Sequence, residues 1–235
     1  MQDTHLHHHE EHLKSSNLLT DIVIGMSDGL TVPFALAAGL SGAVNSTTII
    51  VVAGVAEIAA GSIAMGLGGY LAGKTEQDHY KSELKREYEE VETKRAIEIA
   101  EVKQVFKEWG LSEMIQEQAT QEIIQDKDKW VHFMMKHELH LDEPEPKRAT
   151  KSAFNIGASY IVGGTVPLSP YFFITDSIEA LKVSAVLTLI CLFVFGYFKS
   201  KLTGVNPLKG GFRVMLIGAS AAAAAFGIAK AIGGK

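Results

Sequence analysis

The sequence predicts an all-α membrane protein: five membrane-spanning helices, with a charged three-helix insert between the second and third. Three observations predict it. Five long apolar segments punctuate the 235 residues. Charge is crowded between Lys74 and Lys151, which hold 14 of the 22 Lys/Arg and 19 of the 27 Asp/Glu. The apolar segments also lack the polar face that buried helices of a soluble bundle carry. Long uncharged runs exclude a disordered chain. A single cysteine, Cys191, excludes an intrachain disulfide. The net charge of −5 argues against nucleic acid as a partner. The opening MQDTHLHHHEEHLKSS has no basic stretch followed by a short apolar one, so it does not read as a cleavable signal peptide.

The elements follow in order. The first span, about Leu18 to Val44, contains Asp21 and Asp28 as its charges, and Pro33 is expected to kink it one turn beyond Asp28. The second, about Ser46 to Gly73, contains one charge, Glu57. The third, about Ser152 to Thr175, is uncharged, and Pro167 and Pro170 are expected to end its helix near Val166. The fourth, about Ile178 to Phe198, is charged at Glu179 and Lys182, and the fifth, about Phe212 to Ala229, at Arg213. A span needs roughly 20 apolar residues, which segments one, two and four exceed and segments three and five approach. Small residues recur, with GxxxG spacing at Gly25/Gly29 and Gly69/Gly73. In lipid such spacing lets helices approach closely.

Within the insert, Glu76 to about Trp109 reads as one helix of strong helix formers ended by Gly110. Ser112 reads as the cap of a second helix to about Gln125, and a third runs from about Asp128 to His140. The Pro-containing run from Leu141 is a stiff linker. The division is a tail at 1–17, spans one and two at 18–73, the insert at 74–150 and spans three to five at 151–235. Basic residues concentrate on one side, at Lys14, the insert, Lys199, Lys201 and Lys209. That side is expected to be cytosolic, with the N-terminus and insert there and the C-terminus across the membrane.

Two constellations carry chemistry. Asp28 and Glu57 lie about ten residues inside their spans, where ionisable groups are costly and mark function by default. Met65, two turns beyond Glu57, adds a soft thioether. Carboxylate plus thioether suits a divalent cation that enters and leaves, and the carboxylates exchange protons. In the insert, Glu83, Glu87, Glu90, Glu98 and Glu101 fall near one helix face, interrupted by Lys94. Met134 and Glu138, with His137 and His140 nearby, lie on the third helix. A solvated face of i,i+4 pairs is the competing reading of the Glu stripe.

His137-Glu-Leu-His140 lacks the spacing of a zinc protease motif. Glu76-Gln-Asp-His79 is a single ExxH where a di-iron centre needs two. No phosphate-binding or dinucleotide-binding glycine loop is present, so no enzyme is expected. His5, His7, His8, His9 and His12 form a tail that binds metal at most loosely.

The run Asp21-Ile-Val-Ile-Gly-Met-Ser-Asp-Gly-Leu-Thr-Val-Pro-Phe-Ala-Leu resembles the vacuolar iron transporters. So does Ala56-Glu-Ile-Ala-Ala-Gly-Ser-Ile-Ala-Met-Gly-Leu-Gly-Gly-Tyr-Leu, and the charged insert is similar to that of the plant members. The resemblance covers essentially the whole chain. It implies a homodimer in the vacuolar membrane that moves Fe2+ from cytosol to vacuole in exchange for protons. Manganese and other divalent transition metals are implied as further cargo. It implies a path between the two first spans, with Asp28 and Met65 as ligands and Glu57 as a buried carboxylate. It implies a cytosolic metal site of Glu87, Glu90, Glu98, Glu101, Met134 and Glu138, open also to Zn2+, Mn2+, Co2+ and Ni2+. A two-fold axis between first spans would bring two Asp28 carboxylates together, which calls for a cation or a proton between them. The rivals are a membrane-anchored divalent-metal sensor or buffer, against which the intramembrane carboxylates count, and a ferroxidase, against which the single ExxH counts.

Overall fold

A computed structural model describes residues 17–233, and every regular element among them is helical. In chain order these are α1 Asn17–Ala43, α2 Thr47–Thr93, α3 Arg95–Glu108, α4 Glu113–Ile123 and α5 Lys127–His137. There follow α6 Arg148–Leu168, a 3₁₀ turn Ser169–Phe172, α7 Ser177–Leu202 and α8 Pro207–Gly233. The helices divide into two compact units: Leu71–Ala149, and the residues up to Tyr70 together with those from Thr150 onward.

In the apolar unit, α1 packs against α7 and α8, and α7 packs against α8. Helices α1, α2, α7 and α8 are long and apolar enough to cross a membrane, with mean hydropathies of 1.5, 2.0, 2.2 and 1.7 over their most apolar stretches. Helix α6 is not among these four. It begins earlier than the apolar segment and carries Arg148, Lys151, Ser152 and Asn155 in its first turns, which dilute its hydropathy. It continues through Pro167 to Leu168, where the 3₁₀ turn takes over. Likewise α1 is one helix through Pro33.

Polar α6 lies between α1 and α2. Ser152 meets Asp21, Ile156 meets Gly25 and Tyr160 meets Gly29, a constant register that makes α1 and α6 parallel neighbours. A Cβ at Gly25 would stand 2.3 Å from the Ile156 carbonyl oxygen, and one at Gly29 2.4 Å from that of Tyr160. No side chain fits there, so glycine is required for the backbones to touch. Helix α2 runs the other way along α6: a Cβ at Gly61 would strike the Tyr160 ring, one at Gly66 the Ala153 carbonyl, and one at Gly69 the Ile156 and Ser152 side chains.

In the charged unit, Tyr80, Val91, Val102, Phe106, Trp130, Val131, Met134 and Met135 form the core. The single long helix expected from Glu76 to Trp109 is two helices broken at Lys94, whose φ of −123° and ψ of 30° are not helical. Thr93 Oγ1 donates to the Glu89 carbonyl at 2.8 Å, a back-bond of the kind that bends helices. Gly110, at φ +77°, ends α3 as expected of glycine. Ser112 occupies the cap position of α4, but its hydroxyl makes no capping bond. Asp126 caps α5, accepting from the Asp128 and Lys129 amides at 3.0 and 3.1 Å. Helix α5 ends at His137, short of the expected His140, which sits at φ 55° beyond it.

Candidate transport path and acidic cluster

Within the apolar unit, the α2 glycines draw α6 close, and Tyr160 reaches Glu57. Its hydroxyl donates to Glu57 Oε1. Glu57 Oε2 is buried and has no hydrogen-bond partner among the described residues, a costly arrangement for a carboxylate oxygen. Asp28 is half-buried on α1 and within electrostatic reach of the Tyr160 phenol. Met65 is half-buried two turns beyond Glu57 on α2. A groove of about 630 Å³ is lined by Thr31, Val32 and Leu36 of α1, by Ala225 and Ile228 of α8, and by Glu57. The arrangement thus offers an unsatisfied carboxylate oxygen, a proton-bearing phenol beside it and a thioether on the same helix.

Within the charged unit, Glu87 on α2 and Glu98 on α3 are each 2% exposed. Each keeps one oxygen, Oε2, buried without a hydrogen-bond partner among the described residues. Burial pushes the Glu87 carboxyl up to about 7, helped by the charges of Glu138, Glu90 and Glu101 and opposed by Arg86. Burial likewise pushes Glu98 up to about 7, with Glu101, Glu87, Glu90 and Glu138 adding to it. Glu138, just past α5, is raised by burial and by Glu101. Five of the six residues named for this site therefore lie within electrostatic reach of one another. The sixth, Met134, is fully buried in the core beside them on α5.

Glu90 is held differently. Lys94 donates to it at 2.6 Å and lowers its pKa, and the Arg86 guanidinium stands 3.8 Å away. Among the described residues, no three His, Cys, Asp or Glu side chains are drawn tightly enough together to hold a metal ion. Metal binding here would require Glu90 to leave Lys94 and the carboxylates to close in. Glu83 pairs with Arg86 at 2.5 Å.

The near-miss motifs do other work. His137 packs edge-on against Trp109, ring centroids 5.1 Å apart, and beside Phe133 at 4.8 Å. His79 is exposed, 3.9 Å from Glu83. The His-rich tail lies outside the described residues. Sequence reasoning missed Tyr160, Ser152 and Asn155, the side chains of α6 that meet the carboxylates of α1 and α2. Their signal was polar character in the third apolar segment. It also missed Arg86 and Lys94 as the cations of the acidic cluster.

Residues 19–230 match the VIT family. The chain is 48% identical over 226 residues to a protein of Arabidopsis thaliana named Vacuolar iron transporter 1, covering 96% of this chain and 90% of that one. It is 49% identical over 225 residues to Vacuolar iron transporter 1 of Eucalyptus grandis, covering 96% and 90%. It is 36% identical over 224 residues to Protein CCC1 of Saccharomyces cerevisiae, covering 92% and 69%. The relatives named for an activity are named as transporters rather than enzymes. With a family match over residues 19–230 and relatives 48–49% identical along nearly the whole chain, the chain belongs to the VIT family.

Proposed function

We propose that the chain carries ferrous iron from cytosol into the vacuole in exchange for protons, with manganese and other divalent transition metals as further cargo. It does so as a five-span homodimer, α6 being the third and most polar span. The vacuolar iron transporter names of its relatives support the substrate and the compartment. The observation that carries the mechanism is the pair of carboxylates Asp28 and Glu57 inside helices apolar enough to span a membrane.

Asp28 and Met65 act as path ligands. Oxygen and thioether together suit a borderline divalent ion held loosely enough to leave. Glu57 takes charge or a proton as the ion passes, with Tyr160 holding its other oxygen. Lumenal acidity then drives release, because protons compete with metal for the carboxylates. The 74–150 segment is cytosolic and captures metal on Glu87, Glu90, Glu98, Glu101, Met134 and Glu138 ahead of transport. Zinc, manganese, cobalt and nickel(II) compete there. The N-terminus shares the cytosolic side, and the C-terminus is lumenal.

The test is ferrous iron uptake into proteoliposomes, reading iron and internal pH together. Iron entry stimulated by an acidic interior, with matching alkalinisation, is expected. Asp28→Ala is expected to fold and to transport nothing above empty vesicles. Normal flux in that variant removes Asp28 from the path. Binding without entry by the wild type favours a membrane-anchored sensor.

A further inference from the structure

Asp21 lies in the second turn of α1 and is 1% exposed. Two different side chains of α6 take its two oxygens. Ser152 Oγ donates to Oδ1 at 2.9 Å, and Asn155 Nδ2 donates to Oδ2 at 3.3 Å. A buried carboxylate is costly unless hydrogen-bonded. These two donors tie the Asp21 carboxylate across to α6.

Above Asp21 the seam between α1 and α6 is smooth. Gly25 and Gly29 touch the carbonyls of Ile156 and Tyr160 backbone to backbone. Such a seam supplies closeness, but apart from small contacts such as Ser159 Cβ beside Gly25 it offers little side chain to resist a slide or a rotation. Asp21 supplies what it lacks, since two bonds to residues three apart on α6 fix both height and rotation. Asp28 stands seven residues further along α1, which returns to nearly the same face after about 10.5 Å.

We propose that Asp21, Ser152 and Asn155 form a polar latch that sets the register of α1 on α6. The latch thereby holds Asp28 in place beside the Tyr160–Glu57 pair. Asp21 is a positioning residue, and this inference rests on the transport reading above.

The experiment uses the full chain, comparing Asp21→Asn, Asp21→Ala, Ser152→Ala/Asn155→Ala and the triple variant Asp21→Ala/Ser152→Ala/Asn155→Ala. Ferrous iron uptake per folded transporter, its dependence on pH, and the Tm in detergent are read for each. Asp21→Asn keeps an acceptor for Ser152, and Asn155 can turn its amide to match. It is expected to retain at least half the wild-type uptake rate, with an unchanged pH profile. Asp21→Ala and the α6 double variant are each expected to lose about tenfold or more, although the double variant keeps the charge. The triple variant is expected to be no worse than Asp21→Ala within about twofold, as for residues acting as one unit.

The latch is overturned if Asp21→Asn is as inactive as Asp21→Ala or shifts the pH profile, either of which makes Asp21 an ion or proton carrier. It is overturned equally if the α6 double variant transports like wild type, or if Tm falls while uptake per folded protein stays whole. A wild-type protein that moves no iron at all instead overturns the transport reading. The latch is then judged by the Tm cycle, where losses that simply add sink it.

Discussion

Glu57 and Tyr160 show how much one side chain decides. The phenol satisfies one carboxylate oxygen and leaves Oε2 buried without a partner. The carboxylate is thus held in place with one oxygen still reactive. Tyr160→Phe keeps the ring against Gly61 and removes only the donor. The variant is expected to be less stable by about 1–3 kcal/mol, the usual cost of an unsatisfied buried group. Thermal unfolding in detergent measures it. Iron uptake is expected to fall as well, because Glu57 is then free to swing. Undiminished uptake in Tyr160→Phe makes the phenol a packing residue. Glu90 is the opposite case: its paired charge must be released from Lys94 before it can take metal.

At the scale of the element, the acidic cluster stores a pH dependence. Glu87 and Glu98 are pushed up to about 7 from an ordinary carboxyl value of about 4.3. A raised carboxyl pKa means the folded state binds more protons than the unfolded state between those values. Metal-free stability contributed by this pair is therefore present at acid pH and lost as pH rises toward 7. Glu87→Gln/Glu98→Gln removes the penalty. Its Tm in detergent is expected to exceed that of wild type by a margin that grows from pH 5 to pH 8. A margin that is constant with pH refutes the buried-charge account. Added divalent metal replaces the protons, so its stabilisation of the wild type is expected to be larger at pH 8 than at pH 5.

For the whole molecule, the proposed division of labour between capture and passage is testable by separating concentration from rate. Replacing Glu87, Glu90, Glu98 and Glu101 together by Ala is expected to weaken metal binding by the charged unit. Uptake is expected to slow most at low external iron and to recover in part at high iron, because Asp28, Glu57 and Met65 remain. Proteoliposome uptake over a range of iron concentrations checks this. A variant that binds and transports like wild type makes the insert a scaffold.

Helix α1, α2, α7 and α8 could be read from the chain alone, because a bilayer-spanning helix needs one simple property, a long run of apolar residues. The helix end at Gly110 belongs to the same local grammar, because its left-handed backbone favours glycine. Asp28, Glu57 and the glutamate stripe stood out because charge is improbable in a span and regular spacing is visible in a string. The break at Lys94 was hidden, since Glu and Lys favour helix on both sides of it and the local bond from Thr93 is not a composition signal. The polar edge of α6 was hidden for a different reason. Ser152, Asn155 and Tyr160 are unremarkable until α6 lies between α1 and α2, where they meet Asp21 and Glu57. Which segments are helical and which residues carry charge into them are properties of neighbours along the chain, and so they are legible in it. Which hydroxyl meets which carboxylate, and which oxygen is left over, depend instead on helix register, set in the folded protein by contacts between residues more than a hundred positions apart.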